Sequence, residues 1–369
     1  MTFINSLVDR VVRGLGKSTQ DMRQMHDGLL PVNRLMFFLE RARFQSNRNN
    51  VPFCLLALSI DSNDCGGEAL AVLVGILNER LRITDDKGYL EDGRIGVILP
   101  DTPEGGAQVV AADVCSKYQL KGGSIACEIF VYPSDFDIDG NLLFDEDELA
   151  AERSLARRKP TRSMQTLFSK HPPVWKRAID IVGSSLLIIL FTPTFLATAL
   201  IVKISSPGPI LFIQQRAGLG GRPFRMFKFR TMHVGADAKK PQLRRLSEQD
   251  GPAFKLSNDP RVTYLGRILR STSADELPQL LNVLKGDMSL VGPRPLPLEE
   301  SDDCEPWQRR RLDVTPGITC IWQVKGRSTV SFAEWIRMDI EYVKSMSPWQ
   351  DIKLLLLTVP SVILCRGAK

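Results

Sequence analysis

The chain has 369 residues, 43% hydrophobic and 24% charged, a balance near the globular average that argues against a disordered, collagenous or polytopic membrane protein and leaves length for two or three domains at roughly 150 residues each. Seven cysteines without a C-x-x-C pair and three dispersed histidines argue against a disulfide scaffold or zinc ribbon and for reduced thiols in the cytoplasm. The net charge of +6 divides into −10 over residues 1–152 and +16 over residues 153–369, so the second region expects an anionic partner: nucleic acid, a phosphorylated substrate or acidic headgroups.

The first 19 residues, interrupted by Asp9, Arg10 and Arg13, do not read as a secretory signal. Gly14 to Thr19 carries part of a phosphate loop, but Val11 stands where that pattern needs Gly. Periodicity then predicts a helix over Val32 to Arg43, a buried strand over Pro52 to Ile60 and a helix over Ala69 to Arg82. A strand over Arg94 to Leu99, a helix over Ala107 to Tyr118 and a strand over Ser124 to Tyr132 follow. Alternating helices and strands make residues 1–149 a small α/β domain.

Asp135-x-Asp137-x-Asp139-Gly140-x5-Glu146 satisfies a calcium-loop pattern. The strand-like Ile129 to Pro133 before it and the apolar Leu143 inside it favour a solvated acidic loop leading into a helix over Asp145 to Arg158. Ca2+ at Asp135, Asp137, Asp139 and Glu146 is the lesser reading. Residues 150–173, basic and closed by Pro172-Pro173, read as a linker lying against anionic headgroups.

Residues 181–202 form an uncharged stretch of 22, which as helix would be roughly 33 Å long against a hydrocarbon core of roughly 30 Å. Pro193 sits in its middle, where a break is expected. Lysines and arginines flank both ends, and both flanks favour the cytoplasmic side. A helix over about 177–204 that enters, breaks at Pro193 and returns therefore fits better than a single crossing. The later run Leu354 to Leu364 is too short to span and reads as interfacial or core.

Asp275 and Glu276 pair two carboxylates shortly after Arg261, Arg267 and Arg270. Ser273-x-x-Glu276 before Leu277 to Leu284 is also a capping box, which needs no chemistry. A phosphoryl group beside Asp275, clamped by Arg270, would use the same residues with the carboxylate as nucleophile.

Two resemblances complete the reading. Pro52 to Asp61, Gly93 to Thr102 and Ile129 to Pro133 resemble a degenerate nucleotide-cyclase-like domain of the GGDEF type. Glu91-Asp92-Gly93-Arg94-Ile95 stands in place of the signature, and Ser59 stands where that family carries an acid. The resemblance implies a regulatory or dimerising module without activity.

From Trp175 to Ala368 the chain closely resembles the monotopic phosphoglycosyl transferases, or bacterial sugar transferases. The carrying motifs are the Pro-centred apolar helix, Ser206-Pro-Gly-Pro, Lys228-Phe-Arg-Thr-Met, Asp275-Glu276, Val291-Gly-Pro-Arg-Pro and Thr315-Pro-Gly through Arg327. That resemblance implies a mostly α monotopic membrane catalytic domain over 174–369, with a re-entrant helix, at the cytoplasmic face of the bacterial inner membrane. It implies transfer of a sugar 1-phosphate from a UDP-sugar to polyprenyl phosphate, with release of UMP. Asp275 becomes the nucleophile, Glu276 its partner in positioning Mg2+, and Arg270 a phosphate clamp. Pro293, Arg294 and Pro295 shape the nucleotide pocket, and Lys228, Arg230 and Arg327 become further anion contacts. Anionic lipids are expected partners and nucleic acid is not, while the α/β domain leaves room for a homodimer. The alternative is a non-enzymatic, membrane-attached nucleotide-sensing module.

Overall fold

A computed structural model of the protein describes residues 28–60, 67–133, 161–325 and 330–363. The chain divides into two compact units, Met1–Met164 and Gln165–Lys369.

The first unit is built on helices α1 (Val32–Asn49), α2 (Gly67–Arg80) and α3 (Glu104–Leu120) and on strands β1 (Phe53–Ile60), β2 (Asp86–Tyr89), β3 (Ile95–Leu99), β4 (Ile125–Tyr132) and β5 (Thr161–Ser163). The strand order is β2-β3-β1-β4-β5. Central β1 pairs antiparallel with β3 and β4, and β5 adds parallel to β4. Helices cover both faces of the sheet, so β1 reads as a continuous apolar run. Cys54, Leu56 and Leu58 join a core with Leu73, Leu77 and Val114 of α2 and α3. On the other face Leu35 of α1 packs onto Gly96, where a Cβ would come within 2.8 Å of it.

The six elements expected here are present with shifted ends. Two others were not anticipated: the short β2, and β5, which lies inside the stretch read as linker. Glu91 to Arg94 forms the β2–β3 turn. Gly93 takes φ +85, and Arg94 pairs with Asp92 at 2.7 Å and with Glu128 of β4 at 2.6 Å. The calcium-loop residues, the helix expected over Asp145 to Arg158 and the Gly14 to Thr19 motif lie outside the described residues.

The second unit begins with helix α4 (Val174–Ser205), the one described helix long and apolar enough to cross a membrane. Its hairpin β6 (Leu211–Ala217) and β7 (Pro223–Phe229) is antiparallel. Helices α5 (Tyr264–Ser271) and α6 (Gln279–Lys285) precede β8 (Ser289–Val291), which pairs in parallel with β9 (Gly317–Thr319). Helices α7 (Phe332–Ser345) and α8 (Pro348–Ile363) close the unit, the latter absorbing the late apolar run. A Cβ on Gly317 would lie 2.1 Å from the Gly292 nitrogen, so glycine at this position lets the chain beyond β8 approach β9.

The break expected at Pro193 does not occur as a helix end, because α4 continues through it. The Thr192 hydroxyl donates to the Ile188 carbonyl at 2.7 Å, adding a bond at the turn that a proline without N–H weakens; apolar helices tolerate proline on such terms. Both ends of α4 are rooted in the same unit. Near its start Arg177 donates to the Val283 and Leu284 carbonyls at 2.6 and 2.5 Å, and Asp180 accepts from Ser289 and the Leu290 amide, both at 2.8 Å. Near its end Phe195 packs edge-on to Phe229, and Thr198 and Val202 are buried. Between these contacts residues 189–194 are exposed on every side.

Candidate active site

The expected capping box is not formed. Ser273 adopts a left-handed φ of +57 and makes no side-chain cap, Ala274–Glu276 is a single 3-10 turn, and α6 starts only at Gln279, after Pro278. The pull on Glu276 comes instead from two cations brought in from distant elements. Lys228 of β7 donates to it at 3.0 Å, and Arg294, from the loop after β8, reaches both of its oxygens.

Two local devices set this meeting. Asn282, fully buried on α6, accepts from the Phe227 amide at 3.0 Å and donates to the Arg225 carbonyl at 2.7 Å. One side chain thus stands in for a neighbouring strand on β7 and sets Lys228 against the dyad. The other device is Gly266, where a Cβ would lie 2.0 Å from the Thr231 carbonyl. Its absence lets α5 rest on Thr231, and Arg270 then donates to the Thr231 hydroxyl at 3.1 Å.

The two carboxylates sit in opposite electrostatic circumstances. Burial pushes Glu276 up, but Arg294 and Lys228 more than reverse this and hold it well below the usual carboxylate range. Burial, reinforced by the adjacent Glu276 charge, raises Asp275 to about 6. Asp275 is buried, and among the described residues no hydrogen bond or ion pair engages its carboxylate. Burial lowers Lys228 and Arg270. Arg216 of β6 is lowered to about 10, by burial first and by the charge of Arg294 next. Four cations therefore face two carboxylates, an excess that a dianionic ligand would balance.

Of the residues expected at the site, the structure gathers Asp275, Glu276, Lys228, Arg270 and Arg294, with Pro293 and Pro295 flanking the last. Arg230 is placed elsewhere: buried, it donates to the Ser206 and Pro207 carbonyls at 2.8 and 2.6 Å and fastens the chain just past α4. It also donates to the Ser206 hydroxyl at 2.9 Å, so its described hydrogen bonds are structural ones. Arg327 lies outside the described residues. Arg216 and Asn282 were not anticipated; their partners lie 79 and 57 residues away in sequence, and no local spacing marks them. Among the described residues no group of three or more acidic, His or Cys side chains forms a ready metal cage. A hard divalent cation can be held by one or two carboxylates completed by phosphates and water. Asp275 is open to that role, and Glu276, accepting three hydrogen bonds, keeps about one of its four lone-pair directions.

The bacterial sugar transferase family matches residues 171–365. The chain is 46% identical over 198 residues to the UDP-glucose:undecaprenyl-phosphate glucose-1-phosphate transferase of Caulobacter vibrioides, covering 51% of this chain and 69% of that protein. It is 45% identical over 196 residues to the galactosyl transferase CpsE of Streptococcus agalactiae, covering 53% and 43%. With the undecaprenyl-phosphate galactose phosphotransferase of Salmonella typhimurium it shares 42% over 205 residues, covering 52% and 41%. The chain thus spans less than half the length of the last two relatives. Among solved structures it is similar to a DGC protein from Thermotoga maritima, at TM-score 0.28 and 17% identity over 35% of this chain and 98% of that one.

Proposed function

The chain belongs to the bacterial sugar transferase family, and from that premise we propose that it transfers a sugar 1-phosphate from a UDP-sugar to a polyprenyl phosphate such as undecaprenyl phosphate. The observation that carries this reading is the Asp275 carboxylate: buried, unbonded among the described residues, and ringed by Lys228, Arg270 and Arg294. A carboxylate held this way is a nucleophile kept ready rather than a structural counter-ion.

An Asp275 oxygen attacks the sugar-bearing phosphorus, and the bond to the bridging oxygen breaks with its electron pair leaving on UMP. The phosphosugar remains on Asp275 as an acyl phosphate. A phosphate oxygen of the polyprenyl acceptor then attacks the same phosphorus and returns the carboxylate. Arg270 and Lys228 neutralise the non-bridging oxygens, and Glu276 holds Lys228 and Arg294 in register. Mg2+, held by Asp275 with Glu276 and the nucleotide phosphates, would offset charge on the leaving and transferring groups.

The same reading assigns α4 to the membrane as a re-entrant anchor at the cytoplasmic face of the bacterial inner membrane. Support comes from its two rooted ends and from the exposed apolar turn at 189–194 between them. A crossing helix would carry one of those rooted ends to the far side. The first unit, with ion-paired Arg94 in place of a catalytic signature, acts as a degenerate cyclase-like regulatory module.

The test is UMP release by detergent-solubilised protein given Mg2+, undecaprenyl phosphate and a panel of UDP-sugars. Release from one donor, lost in Asp275→Asn, supports the reading; equal release by the variant overturns it.

A further inference from the structure

The loop that delivers Arg294 to Glu276 contains three prolines among five residues, Pro293 to Pro297. Prolines have no amide to give a sheet, so the loop is held through its carbonyls. Four in a row are engaged. The Pro293 carbonyl accepts from the Gly317 amide at 2.9 Å, and the Leu296 carbonyl from the Ala217 amide at 3.0 Å. Between them the Arg294 carbonyl accepts from Arg311, and the Pro295 carbonyl from Arg216 at 2.7 Å. Backbone amides hold the outer two and arginine side chains the inner two.

Both arginines are themselves oriented. Arg216 donates its Nε to Gln214 at 2.9 Å. Arg311, 3% exposed, is seated on Asp339 at 2.8 Å. Neither forms an ion pair or hydrogen bond with Asp275 or Glu276; Arg216 adds its charge to the field around Glu276, and the hydrogen bonds of both arginines to the site run through the loop. Placing two more guanidinium groups near that of Arg294 is electrostatically unfavourable. A planar fork held by a fixed partner is the donor that loses least freedom in gripping a carbonyl.

We infer that Arg216 and Arg311 are positioning residues of the transfer reaction: by gripping the consecutive carbonyls of Arg294 and Pro295 they fix the reach of the Arg294 side chain to Glu276. The activity arm of its test rests on the reaction proposed above, and a second arm does not.

The 369-residue chain in detergent is compared as wild type, Arg216→Met, Arg294→Lys and the double variant. In the first arm, hydrogen exchange is followed at the Ala217 and Gly317 amides, which donate to the same loop, with Ile95–Leu99 as the remote control. Arg216→Met is expected to speed exchange at Ala217 at least about tenfold and leave the control strand unchanged. Unchanged exchange at Ala217 overturns the inference whether or not the protein is active.

The second arm reads kcat/KM for UMP release. Arg216→Met is expected to lower it about tenfold or more in the wild-type background and less than about threefold in the Arg294→Lys background, since its effect passes through Arg294. Fold-losses that multiply overturn the inference, because Arg216 would then act on substrate by itself. If wild type releases no UMP from any donor, the proposed reaction fails while the exchange arm still decides the clamp. Arg311→Lys supplies a second probe of the exchange arm, reported by Gly317, should Arg216→Met fold poorly.

Discussion

Lys176 Nζ lies 2.6 Å from Asp351 Oδ2, with 1% and 2% of the two side chains exposed. The same ammonium donates to the Val291 carbonyl at 2.8 Å and to the Tyr342 hydroxyl at 2.9 Å, so all three of its protons are placed. Through it the root of α4, the end of β8 and the start of α8 are tied at one point. Removing one partner of such a pair strands a charge, at about 3–5 kcal/mol. Lys176→Met is expected to lower stability by that order in urea titrations. Pairing it with Asp351→Leu should recover a good part of the loss, because the stranded carboxylate goes too.

Asp275→Asn should abolish UMP release while leaving the fold at least as stable as wild type. The carboxylate's burial disfavours its charge, and an amide removes that charge at nearly constant shape. Thermal melts in parallel with the assay check both halves. Glu276→Gln should behave differently, losing stability as well as activity, since Lys228 and Arg294 would be left facing each other without their shared counter-ion.

The pH dependence follows from the direction of the Asp275 shift. Its folded value of about 6 lies above the roughly 3.9 of an unfolded aspartate. The folded state therefore holds more protons in this window, and the stability that protonation lends is present at low pH and lost as pH rises from about 4 to about 6. Nucleophilicity has the opposite slope, for only the carboxylate attacks. The kcat/KM of UMP release should fall about tenfold per unit below pH 6, with Asp275 as the titrating group.

Gly266→Ala should cut activity more than it cuts stability. The added methyl would press on the Thr231 carbonyl, and α5 would have to lift. Arg270 would then be carried away from Thr231, raising KM for the donor by about tenfold or more. Steady-state kinetics and a thermal melt read the two effects separately.

At the exposed turn of α4, Leu190→Lys should weaken vesicle association by about two orders of magnitude, given roughly 2.5–3.5 kcal/mol for a cation in the apolar region. Co-sedimentation with liposomes measures it. In whole cells, Val174→Cys and Ser205→Cys, at the two ends of the helix, should both be labelled only after the inner membrane is permeabilised.

The chemistry was legible in the sequence where adjacent residues carry it, and illegible where the fold assembles it. Asp275-Glu276 announces itself as a carboxylate pair, but its local pattern equally spelled a capping box. That ambiguity ended only when Lys228 and Arg294, 48 and 18 residues distant from Glu276, were found on it. Arg230 looked like an anion contact because it shares a motif with Lys228, yet it lies just past the end of β7 and its guanidinium is spent on the Ser206–Pro207 segment, 23 residues back, which no local spacing reveals. The β6–β7 hairpin escaped notice because basic residues interrupt its apolar alternation; its ends are set by Gly218 and Gly221 in the turn. Helix α4 was found by composition alone. Its continuity through Pro193 was not, since a missing amide says nothing of what the neighbouring hydroxyl does.

The rooted ends and bare middle of α4 have a consequence for how the two proposed substrates would be met. If α4 is the membrane anchor, one fixed to its own unit at both ends cannot swing, so the height of Asp275 above the headgroups would be set by the fold rather than by a tether. A nucleotide sugar would then arrive by diffusion in three dimensions. A lipid-borne phosphate would arrive by sliding in two, at the depth where the carboxylate is held.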